Sequence, residues 1–240
     1  MQQTVIEQKK KIDAACTICF RQLVSYCEKL KAYNQEVQKI SQSPYVDDEK
    51  SRQISELEGR TKVLVVPMVA EIERQIQLIR EYSEVIAVTP MDSTDLVAVG
   101  TLTNLIGAGS TTDTGLGIFE NLLDYVNMYR GQPKALKVIQ AAMERAGELD
   151  PNALKSKHGG SLVFDVANRI RQVENTAGQL HGLNINCAFD MSRELEIYAY
   201  DMGVELTDSF KKMVNAVNPD DYNDLYFTRL ANLMGVDPTV

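Results

Sequence analysis

The chain has no tryptophan, few prolines (seven in 240 residues) and no apolar run longer than the eight residues from Val63 to Ala70. Each shortage excludes something. A helix that crosses a bilayer needs about 20 consecutive apolar residues, so this run, which also contains Pro67, predicts no transmembrane segment. The N-terminus is polar where a secretory signal would carry its apolar stretch, so no leader is expected. Four cysteines without a leader read as reduced thiols of a soluble, cytoplasmic protein rather than as a disulfide framework. Scarce proline leaves long stretches free to be helical.

Basic clusters are also missing. Residues 1–88 carry 13 Lys and Arg against 13 Asp and Glu, while residues 89–240 carry 12 against 20, which places the whole net charge of −8 in the second part. A phosphate-tracking surface needs clustered cations, and the one basic run is Lys9-Lys10-Lys11. Nucleic acid is therefore a poor match as partner. An acidic inhibitor that binds a nucleic-acid-binding protein by mimicry is a further alternative, weakened by how mild −8 is over this length.

Catalytic signatures are thin. No HExxH, ExxH or GxSxG motif occurs, and the two histidines, His158 and His181, stand beside glycines at helix boundaries. Carboxylate groups such as Asp47-Asp48-Glu49, Glu71 with Glu73, and Asp220-Asp221 fall at caps or on polar faces. The glycine-rich stretch 107–117 lacks the Lys and the spacing of a phosphate loop, and reads as a hinge or mobile loop. Cys16-Thr17-Ile18-Cys19 is a CxxC, and with Cys27 and Cys187 four thiolates could hold zinc or an iron–sulfur cluster. On a helix, however, Cys27 lies about 16 Å along the axis from Cys16, too far to share a metal. Small core residues are the expectation for these thiols, with no metal and no cofactor.

What is abundant is helical periodicity. Ile12, Cys16, Cys19, Leu23, Tyr26, Leu30, Tyr33, Val37 and Ile40 alternate steps of four and three, which is the repeat of a helix packed along one seam. One helix is predicted over residues 3–41. Residues 41–48 form a turn in which Asp47 or Asp48 caps a second helix. That helix carries the matching stripe Val65, Val69, Ile72, Ile76, Ile79 and Ile86, broken at Ser83, and a kink or restart is expected near residues 63–66, before Pro67. The fold class is thus all-α: a long, coiled-coil-like antiparallel hairpin over residues 1–88, followed by a compact multi-helix domain over residues 89–240.

In the second part, Asp92 or Ser93 caps a short helix to about residue 106. Further helices are expected near residues 117–130, 134–146, 161–181, 190–203, 207–217 and 220–234, separated by Gly, Pro and Asn breaks. Strands are conceivable only at residues 96–99 and 183–188. Between Leu96 and Phe119 the sole charge is Asp113, in a chain with 24% charged residues. A buried helix explains such a stretch, and so does a surface that a partner covers.

The functional expectation is a non-catalytic interaction or assembly protein (scaffold, adaptor or virus-assembly type) acting through helix–helix packing, either as an oligomer of itself or with another helical protein. Its partner-binding candidates are Leu23, Leu30, Val37, Ile72, Ile76 and Ile79 on the seam, with Tyr222 and Tyr226 on the acidic C-terminal part. The alternative is a helical enzyme or small-ligand-binding protein with residues 107–117 as its lid.

Overall fold

A computed structural model describes residues 3–109, 128–146 and 166–204. These residues form six α-helices, one 3₁₀ turn and no strand: α1 Gln3–Gln42, α2 Asp47–Val88, α3 Ser93–Gly109, α4 Pro133–Ala146, α5 Val166–Gln179, the turn Leu180–Gly182, and α6 Ile185–Asp201. Residues 96–99 lie within α3, so the strand conceivable there is a helix.

The seam of α1 is real. Ile12, Cys16, Cys19, Leu23, Tyr26 and Leu30 are each 1% exposed or less, and the facing stripe of α2, from Val65 through Ile86, is buried as well. The two helices run antiparallel. Lys50 Nζ donates to Ser41 O (3.0 Å), Cys19 Sγ lies 3.8 Å from Ile72 O, and the Lys11 ammonium stands 5.4 Å over the Tyr82 ring. Each step along α1 is matched by a similar step back along α2. Three carboxylates in the first turn of α2, Asp47, Asp48 and Glu49, complement the exposed N–H groups there.

Two details differ from expectation. The helix restart before Pro67 does not occur, because α2 is continuous across it. Proline frees only the carbonyl four residues earlier. Val63 and Pro67 both face solvent, so the freed carbonyl lies on a side of the helix open to water, and α2 continues beyond it. The second is α3, which Asp92 caps through its Oδ1 (2.7 Å to Asp95 N) and which runs on to Gly109, three residues into the glycine-rich stretch. Residues 110–117 of that stretch, and the helices expected at 207–217 and 220–234, lie outside the described residues.

By its internal contacts the chain divides into two compact units, the first made of Met1–Ala14, Leu78–Ile170 and Ile197–Glu205, the second of Ala15–Gln77, Arg171–Glu196 and Leu206–Val240. In the first, α3 and α4 pack through Val99, Leu102 and Ile106 against Leu136, Ile139 and Ala142, with Tyr129 beside them. Ser83, the interruption of the α2 stripe, is fully buried there. Its hydroxyl donates to Ile79 O (2.7 Å) and meets the hydroxyl of Tyr198, so both buried groups are satisfied. Asp201, also buried, is held by Arg169 at 3.1 Å.

A close approach in the same unit needs two glycines. Gly131 (φ 72°) and Gly203 (φ 59°) adopt the left-handed conformation, and a Cβ on Gly131 would lie 2.0 Å from Met202 O. Lys9 Nζ donates to Arg130 O (3.0 Å), while the Arg130 guanidinium stacks 4.1 Å from the Tyr200 ring.

The second unit buries the seam residues from Ala15 to Leu30 of α1 and from Val65 to Ile76 of α2, together with Val173, Ala177, Leu180, Phe189 and Leu195. Tyr26 donates its hydroxyl to Leu180 O at 2.6 Å, which fixes the 3₁₀ turn against α1. His181 Nε2, on that turn, sits 3.1 Å from Glu73 Oε1 of α2.

Candidate functional site

The seam residues singled out as partner contacts lie inside the chain. Leu23, Ile72 and Ile79 are fully buried, Leu30 and Ile76 are 1% exposed, and Val37 is partly buried. The five buried ones close the core of the hairpin within the chain. Tyr222 and Tyr226 lie outside the described residues.

Cys16, Cys19 and Cys27 are buried, and Cys187 is partly so. Burial, with Cys16 close by, holds the Cys19 thiol well above its usual range; burial, with Glu28 adding to it, pushes Cys27 up to about 12. Such thiols stay protonated and are poor nucleophiles and poor ligands. No group of three or more His, Cys, Asp or Glu among the described residues could hold a metal ion. A cavity in the first unit, between Ile86, Met91, Asp95, Gln132, Pro133 and Lys134, has a volume of about 10 Å³. That is room for about one water molecule, whereas small-ligand sites run to about 300–1,000 Å³.

The unusual surfaces are apolar helical faces. On α2, Val63 is 73% exposed, Leu64 55% and Val66 52%, and Pro67 and Ala70 are exposed beside them. At 100° per residue, Gly59, Val63, Val66, Pro67 and Ala70 share one side of the helix, an uncharged ridge about two to three turns long. On α3, Val99, Leu102 and Ile106 face the core, while Leu96 (53%) and Val97 (70%) face out together with Thr94, Thr101 and Asn104. The only charge between Ser93 and Gly109 is Asp95.

The chain matches no family model, no curated protein and no solved structure.

A signal for the α2 ridge is present in the sequence. Eight consecutive apolar residues cover every side of two helical turns, and a hairpin helix buries only one stripe. The residues off the stripe (63, 64, 66, 67 and 70) therefore face outward, whereas the uninterrupted alternation of the seam marks residues that are buried.

Proposed function

We propose that the protein is a non-catalytic helical interaction or assembly protein, cytoplasmic, that binds another helical protein through exposed apolar helix faces. The observation that carries this reading is the outward side of α3, where Leu96 and Val97 stand 53% and 70% exposed on a face without charge. Leaving such aliphatic surface in water is unfavourable by roughly 25 cal/mol per Å², and contiguous patches of this kind mark contact sites. A helix laid alongside would cover both side chains while Thr94, Thr101 and Asn104 supply rim hydrogen bonds.

Affinity capture from the native host with mass-spectrometric identification tests it, using the wild type and the double variant Leu96→Asp/Val97→Asp. Both positions are exposed, so the variant should keep its circular dichroism spectrum and thermal midpoint. The expected result is a protein captured by the wild type and lost with the variant. Identical capture by the two proteins would sink the reading.

A further inference from the structure

We draw no further inference here: the strongest candidate, the uncharged apolar ridge of α2 formed by Val63, Val66, Pro67 and Ala70, is an unpartnered helix face, and nothing in the structure shows what covers it.

Discussion

Replacing Gly131 by alanine should be among the most damaging single-atom changes in the described structure. Two costs combine at this residue. Its φ of 72° is left-handed, where an L side chain loses roughly 1–2 kcal/mol. The new Cβ would also stand 2.0 Å from Met202 O, 2.7 Å from Met202 C and 3.1 Å from Met202 Cα. These are backbone atoms with no rotamer to escape into, so the turn at residues 129–132 or the end of α6 must shift, at about 1–3 kcal/mol for an overpacked site. Together they make roughly 2–5 kcal/mol, or about 4–20 °C in thermal midpoint for a chain of this size. Chemical denaturation followed by far-ultraviolet circular dichroism measures it. Gly178→Ala is the internal control: that helical glycine is exposed and nothing lies within 4 Å of its Cβ position. There alanine should stabilise by about 0.5–1 kcal/mol through helix propensity. Opposite signs for one chemical change follow from position alone. Equal stability of Gly131→Ala and wild type would refute the close approach of that turn to Met202.

Leu30→Asp should unfold the chain rather than dissociate an oligomer, because Leu30 is 1% exposed in the hairpin core; a lost leucine and a buried unpaired charge together exceed roughly 4 kcal/mol, and a folded variant seen by circular dichroism would contradict that placement. Thiol titration at pH 8 should find only Cys187 reactive in the native state and all four cysteines after denaturation, since the other three are buried. The Cys27 thiol has a folded pKa of about 12 against an ordinary value of 9.0. Its neutral form therefore adds stability that is fully present below pH 9 and is lost as pH rises toward 12, so the denaturation midpoint should fall across that window and fall less in Cys27→Ala.

The helical hairpin was legible because its cause is local and periodic. Nine residues stepping by four and three on α1, an uninterrupted run free of Gly and Pro, and carboxylates at the start of α2 all act within a few turns of chain. The Asp92 cap before α3 was readable for the same reason. By contrast, Ser83 looked like a flaw in the α2 stripe, and only the hydroxyl of Tyr198, 115 residues away in sequence, gives it a role. Pro67 looked like a break, and solvent exposure at Val63 is what makes it tolerable.

What the sequence determined alone is helix placement, the stripe each long helix must bury, and the lack of charge along residues 63–70 and 96–109. A stripe states that it will be covered without stating by what. Tertiary structure decided that: the seam of Leu23, Leu30, Ile72, Ile76 and Ile79 closes within the chain, and the apolar residues left to water include those on the other sides of α2 and α3. The physical reason is that hydrophobic burial has no direction of its own. Periodicity says which residues leave water together, but only the packing of distant segments says which apolar faces remain in it.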